Sequence, residues 1–131
     1  MQFVIRLGVP EMEALWADLA KGRKSGTLTA EEDELAEKLG KAAEQLANNP
    51  RHPGLASHEI SDLTKKYGAP VFQSYLENRT PAAGRLYWVY GPEKGEITLI
   101  GIEPHPEYKK RKAYDRIKLS KLPPKRRKRK Q

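Results

Sequence analysis

The end of an apolar run near residue 100 brings together three residues suited to proton transfer. In "LIGIEPHPEYKKRK", Glu103, His105 and Tyr108 supply a carboxylate, an imidazole and a phenol. An imidazole titrates near pH 6.5 when nothing perturbs it, so His105 is suited to act as a general acid or base. The alternative is an ordinary loop at the exit of a strand, in which a histidine between two prolines has no catalytic role.

Two earlier segments alternate apolar and polar residues, as strands do. "VFQSYLENR" and "RLYWVYG" each direct one set of side chains to a core and the other set away from it. Together with "ITLIGIE" they predict three antiparallel strands joined by short connections. We expect the open face of this sheet to carry Gln73, Tyr75, Glu77, Arg79, Arg85, Tyr87, Glu103, His105 and Tyr108.

Side chains of this kind fit the cleavage of RNA without a metal or a cofactor. The reaction needs a base for the ribose 2′-OH, an acid for the leaving 5′ oxygen, and cations for the charge on the phosphate. Arg79 and Arg85 can each donate two parallel hydrogen bonds to a phosphate. Tyr75, Tyr87 and Tyr108 offer rings on which unpaired bases can stack.

The same residues also have purely structural explanations. Glu77 and Arg85 would form an ordinary cross-strand ion pair, and tyrosine is common on strands because it fits a pleated surface. His52 and His58 are assigned to turn or packing roles, and three widely spaced histidines without any cysteine make a poor zinc site. Composition and spacing alone therefore predict a basic α+β protein that binds nucleic acid.

The positive charge is concentrated at the C-terminus. The 131-residue chain has a formal net charge of +8, yet residues 109–131 contain 13 lysines and arginines and one aspartate, a local charge of +12. The other residues therefore carry a net charge of −4. Such a segment is expected to engage a polyanion, above all nucleic acid, although a solubilising tail is the alternative. Its first four residues are predicted to contact RNA: Lys109, Lys110, Arg111 and Lys112.

Composition also excludes several classes of protein. No apolar run reaches the roughly 18 residues that a membrane-spanning helix requires, and "MQFVIRLGV" is too short and too mixed for a secretory signal. Without cysteine there is no disulfide framework. We expect a cytoplasmic protein with one domain over residues 1–120 and a flexible basic tail over 121–131.

The elements that must position these residues can also be predicted. "MQFVIRL" indicates a first strand, and "PEMEALWADLAKG" indicates a helix that ends at Gly22. Thr29 and Glu32 form a capping box at the start of a second helix, which "NNPRHPG" ends. The two apolar stripes predict an antiparallel helix hairpin that packs on a small antiparallel sheet.

The order of strand, two helices, "NPRHPGL" and three strands resembles the RelE/ParE superfamily of bacterial toxin–antitoxin toxins. "NPRHPGL" is similar to a segment that follows the second helix in that family. "GRLYWVYG" resembles its central strand, and "ITLIGIEPH" its last strand. The resemblance covers about residues 3 to 110 and implies a RelE-like α+β fold.

The resemblance further implies a toxin that a cognate antitoxin neutralises. Members of the RelE branch cut mRNA on the ribosome without a metal, through attack of the 2′-OH on the adjacent phosphate. Arg85 corresponds to the arginine of the central strand, which acts on the scissile phosphate. His105 and Tyr108 lie near the catalytic positions of the last strand, and either Glu77 or Glu103 would be the carboxylate partner of His105.

This chain departs from the pattern of the RelE branch, and two alternative functions remain open. The RelE branch often carries lysines on the strand before the central arginine, where this chain has Gln73, Tyr75, Glu77 and Arg79. The ParE-like branch inhibits DNA gyrase and needs no catalytic set, so a non-enzymatic toxin or binding module is the first alternative. A nucleic-acid-binding regulator that acts through its basic tail is the second.

Overall fold

The computed structural model describes residues 2–7, 10–76 and 84–103. Along the chain the elements are β1 (Val4–Arg6), α1 (Pro10–Ser25), α2 (Ala30–Asn48), a 3-10 turn (Pro53–Leu55), β2 (His58–Glu59), α3 (Ser61–Tyr67), β3 (Phe72–Tyr75), β4 (Arg85–Tyr90) and β5 (Glu96–Glu103). The five strands form one sheet in the order β1-β5-β4-β3-β2. The predicted α+β class and the antiparallel β3–β4–β5 meander are confirmed.

The sheet is mixed, whereas an antiparallel sheet was predicted. β1 runs parallel to β5, with Ile5 opposite Ile97, while the other pairs of strands in the described residues are antiparallel. Parallel neighbours require a crossover connection, and the α1–α2 hairpin lies within the chain between them. None of the helices in the part of the chain that the structure describes is long and apolar enough to cross a membrane.

The α2 helix begins where the capping box was predicted. The Thr29 hydroxyl accepts a hydrogen bond from the Glu32 amide at 3.1 Å, and the Glu32 carboxylate accepts one from the Thr29 amide at 2.9 Å. The apolar stripe of α2 is buried at Leu39 and Leu46, which pack with Trp88 of β4 in the main core. The hairpin therefore covers one face of the sheet, as the sequence indicated.

The α1 helix extends beyond its predicted end. Gly22 lies inside the helix, which continues to Ser25, and Gly26 has a positive φ of 73° immediately after it. The prediction that Gly22 ends the helix is therefore wrong. A side chain at Gly22 would collide with Leu28, so this glycine permits a close approach of the α1–α2 connection.

The second face of the sheet is also partly covered, because α3 follows β2. Ile60, Leu63 and Val71 pack with Tyr87 and Val89 in a second core on this face. The prediction of an open face is therefore wrong over the middle of the sheet. The sequence "GLASHEISDLTKKYGAP" carries no clear periodic pattern, and it contains β2, α3 and the last two residues of the 3-10 turn.

Candidate functional site

Three of the predicted site residues lie in one row across the sheet. Arg85 at the start of β4 is directly opposite Tyr75 on β3 and Glu103 on β5. Residues opposite each other in antiparallel strands direct their side chains to the same face, at about 5 Å between Cβ atoms. A cation, a carboxylate and an aromatic ring are therefore brought together at the end of three strands.

A β-bulge places Glu103 on this face. Tyr87 pairs with Gly101 and Trp88 pairs with Leu99, so Ile100 is an extra residue on β5. Strict alternation from Ile97, a main-core residue, would direct Glu103 toward the helices. The bulge reverses that alternation and turns Glu103 to the side of Arg85.

The guanidinium of Arg85 lies over the ring of Tyr75. Its Cζ is 5.6 Å from the ring centroid, a distance within the range of a cation–π contact. Both residues are half-buried, as is Glu103. The Nε of Arg85 is buried and has no hydrogen-bond partner within the described ranges.

The structure does not support a stacking role for Tyr87. Its side chain is 0% exposed and packs with Ile60, Leu63 and Ile100 in the second core. The predicted role of Tyr87 in RNA binding is therefore wrong, because a buried ring offers no surface to a base. Gln73, its neighbour on β3, is 1% exposed and is likewise removed from the open face.

The sequence indicates a turn or packing role for His58, but the register places it on the face of the site. His58 on β2 is opposite Gln73, which is opposite Tyr87. Tyr75 and Arg85 lie two residues farther along their strands, so His58 shares their face. His58 is exposed, and its Nδ1 lies 2.9 Å from the Ala56 carbonyl oxygen. Only the register could have revealed this position, because β2 is two residues long.

His52 has the turn role that was predicted for it. Its Nδ1 accepts a hydrogen bond from the Gly54 amide at 2.9 Å and caps the 3-10 turn. Within the described part of the chain, no group of three or more acidic or histidine side chains is arranged to hold a metal ion.

Several predicted site residues lie outside the described residues. They are Glu77, Arg79, His105, Tyr108, Lys109, Lys110, Arg111 and Lys112, and the tail over 121–131 lies there as well. The described site therefore consists of the Tyr75–Arg85–Glu103 row, hereafter the arginine row, with His58 beside it. The row combines a guanidinium with a carboxylate and an aromatic ring.

Comparisons of the chain with protein-family models, with curated proteins and with solved structures found no match.

Proposed function

We propose that this protein is the toxin of a toxin–antitoxin system, a ribosome-dependent mRNA endoribonuclease that inhibits translation and needs no metal. The observation that carries the proposal is the arginine row, in which Arg85 is flanked by a carboxylate and an aromatic ring on paired strands. A half-buried guanidinium suits the negative charge that develops on a phosphate during cleavage.

The proposed roles follow from the chemistry of each side chain. Arg85, with Arg79, holds the scissile phosphate through its forked donors. His105 acts as general acid or base, with Glu103 or Glu77 as its carboxylate partner, and Tyr108 orients the nucleotide. The basic residues from position 109 onward bind ribosomal RNA electrostatically.

The order of the elements supports the same proposal. A first strand, a helix hairpin and an antiparallel meander follow one another along the chain in the order on which the resemblance to the RelE family rests. The proposed partners are a cognate antitoxin, the ribosome and mRNA. Because fold alone does not determine function, the proposal depends on the arginine row rather than on the architecture.

A second candidate is a non-enzymatic toxin or binding module of the same fold, such as a gyrase inhibitor. The observation that favours it is the burial of Gln73 and Tyr87, which leaves a smaller open surface than RNA stacking would use. This candidate predicts that growth toxicity persists when Arg85 is replaced by alanine.

The two candidates are separated by primer extension on a defined mRNA, free or held on programmed ribosomes. We expect the wild type to cleave only on ribosomes, and Arg85→Ala and His105→Ala to cleave at least about 100-fold more slowly. Arg51→Ala is the matched control, because it removes an equal charge at an exposed turn outside the arginine row. Cleavage by Arg85→Ala at the rate of Arg51→Ala would contradict the enzymatic proposal.

A further inference from the structure

We infer that the basic C-terminal segment of this chain, residues 109–131, docks on a groove between α1 and α2 when the protein is free of RNA. The segment lies outside the described residues, and the surface that receives it lies within them. Docking takes place in the free protein and does not depend on RNA cleavage. Its consequence is regulatory, because the same lysines and arginines cannot pair with the helices and with RNA at once.

The groove has an apolar floor and reaches the surface of the helix hairpin. It has a volume of about 230 Å³ and is lined by Trp16, Leu19 and Ala20 of α1 and by Ala36, Leu39 and Gly40 of α2. Leu19 and Leu39 belong to the main core and form the floor, whereas Trp16 is only half-buried. A Cβ at Gly40 would meet no atom within 4 Å, so the wall that α2 forms is open at this position. Since a cavity of about 150 Å³ accommodates benzene, the groove has room for an aliphatic side chain.

The end of the groove near the α1–α2 connection carries no excess positive charge. Arg23 also lines the groove, and its guanidinium lies 3.2 Å from a carboxylate oxygen of Asp33 and 3.7 Å from one of Glu37. Two carboxylates therefore accompany one arginine there, and a net negative charge remains for an incoming cation.

Unpaired carboxylates lie toward the other end of the hairpin. Glu13 is three residues before Trp16, and Glu44 is four residues after Gly40. Residues three or four apart are neighbours on the surface of a helix, so both carboxylates flank the groove. Both are exposed, and neither forms an ion pair with another described residue. They are available to a lysine or an arginine that is brought to the groove.

The net negative charge of the chain is confined to this helix hairpin. Residues 10–48 contain nine acidic and five basic side chains, a net charge of −4. The other residues among 1–108 contain seven of each and are neutral in sum. The hairpin is therefore the part of the chain that attracts a polycation, because exposed charges act within a Debye length of about 10 Å at 0.1 M salt.

The C-terminal segment fits the groove in charge, composition and reach. Its local charge is +12, and Ile117, Leu119 and Leu122 interrupt the basic residues with aliphatic side chains. Ten residues, 104–113, separate the end of β5 from Tyr114, and ten extended residues span up to about 33 Å. A domain of about 100 residues has a radius of gyration of about 13 Å, so this connection is long enough to pass around the edge of the sheet.

Docking leaves the arginine row uncovered. The helix hairpin packs on the face of the sheet that carries Leu86 and Trp88 of the main core. Arg85 precedes Leu86 on β4 and therefore lies on the opposite face. A docked segment withdraws positive charge from RNA without touching Arg85. Docking therefore regulates how strongly the protein binds RNA, and does not act on the chemical step.

The test is acrylamide quenching of tryptophan fluorescence in the full chain. The chain has two tryptophans, and Trp88 is 1% exposed, so quenching reports on Trp16 in the groove. Trp16→Phe verifies this assignment. The comparison is with a tail-glutamine variant, in which all seven lysines and arginines of residues 121–131 are replaced by glutamine. At about 20 mM salt we expect quenching of the wild type to be at least about twofold weaker than that of the variant, and at about 1 M salt the two should converge.

A second pair of variants tests the groove itself. Glu13→Gln combined with Glu44→Gln should raise quenching at low salt toward that of the tail-glutamine variant, because the segment loses its partners. The matched control is Asp18→Asn combined with Glu31→Gln, which removes the same charge from exposed positions that do not line the groove. We expect the control to be quenched like the wild type. An RNA oligonucleotide added at low salt should raise quenching of the wild type and leave the tail-glutamine variant unchanged, because RNA draws the segment off the groove.

Other results overturn the inference. Equal quenching of the wild type and the tail-glutamine variant at low salt would show that the segment does not cover Trp16. Equal effects of the two pairs of carboxylate variants would reject the groove and assign the attraction to the overall charge. Protection of Trp16 that disappears on dilution from about 100 to 1 μM would show that a second copy of this chain covers the groove. None of these measurements requires cleavage, so failure of the proposed function in primer extension is recognised separately.

Discussion

Arg85 and Tyr75 are opposite each other on β4 and β3, and the Arg85 Cζ lies 5.6 Å from the centroid of the Tyr75 ring. One face of the ring is therefore occupied by the guanidinium and is closed to a base. The role that this geometry favours for Tyr75 is to position Arg85, whereas the sequence predicted a stacking surface for RNA.

Replacing Tyr75 separates these two roles. Tyr75→Phe keeps the aromatic face, so we expect cleavage on programmed ribosomes within about twofold of wild type. Tyr75→Leu removes the cation–π contact, worth about 1 kcal/mol at a partly exposed site, and should slow cleavage about fivefold. In an Arg85→Ala background, Tyr75→Leu should have no further effect, because the tyrosine acts through the arginine. An equal loss in both backgrounds would instead support direct contact with RNA.

Much of the fold follows from local signals in the sequence. The capping box at Thr29 marks the start of α2. The Thr29 hydroxyl accepts a hydrogen bond from the Glu32 amide and the Glu32 carboxylate accepts one from the Thr29 amide, and few other pairs of residues three positions apart can do both. Alternation along "RLYWVYG" placed Leu86 and Trp88 toward the helices and Arg85 away from them. These signals are short-range, and a single sequence contains them fully.

The parts that sequence reasoning missed depend on contacts between distant residues. The bulge at Ile100 is defined by the pairing of β5 with β4, and it determines which face of the sheet Glu103 occupies. The burial of Tyr87 depends on α3, which joins β2 to β3 and whose Leu63 closes over the sheet. No periodic pattern of apolar residues predicts the bulge or the burial of Tyr87, because β2 has only two residues and α3 has seven.

Two glycines inside helices should respond to alanine in opposite directions. A Cβ at Gly40 would meet no atom within 4 Å, so Gly40→Ala should stabilise the protein by up to about 1 kcal/mol through helix propensity. A Cβ at Gly22 would lie 2.9 Å from Cγ of Leu28 and closer still to its Cδ2, so the crowding should outweigh that gain. We expect Gly22→Ala to lower the free energy of unfolding by about 1–2 kcal/mol in urea titrations. Stabilisation by both variants would contradict the close approach of Leu28.

Breaking the ion pair between β1 and β5 should lower stability far more than breaking an ion pair at the surface. Arg6 Nη1 lies 3.1 Å from Glu96 Oε1, and the side chains are only 18% and 8% exposed. Glu96→Gln leaves a poorly hydrated guanidinium without its carboxylate, so we expect a loss of about 2–3 kcal/mol in the free energy of unfolding. Asp33→Asn is the control, because its pair with Arg23 is 3.2 Å long but about half-exposed. That variant should change stability by less than about 0.5 kcal/mol. Equal losses of stability in Glu96→Gln and Asp33→Asn would contradict the proposed difference in solvation between the two ion pairs.

The basic tail should determine how strongly RNA binding depends on salt. Residues 121–131 contain seven lysines and arginines, and each contact with a phosphate of a single strand adds about 0.7 to the slope of log K against log salt. Replacing all seven by glutamine should reduce that slope by up to about 5 in binding titrations with an RNA oligonucleotide between 50 and 200 mM salt. Replacing only the tail lysines by arginine keeps the charge and should leave the slope unchanged.

Because the arginine row lies outside the tail, the glutamine variant should still cleave RNA on ribosomes at low salt, though more weakly. A slope that is unaffected by the glutamine changes would show that the tail makes no contact with phosphates. Complete loss of cleavage at low salt would instead support the tail-driven regulator.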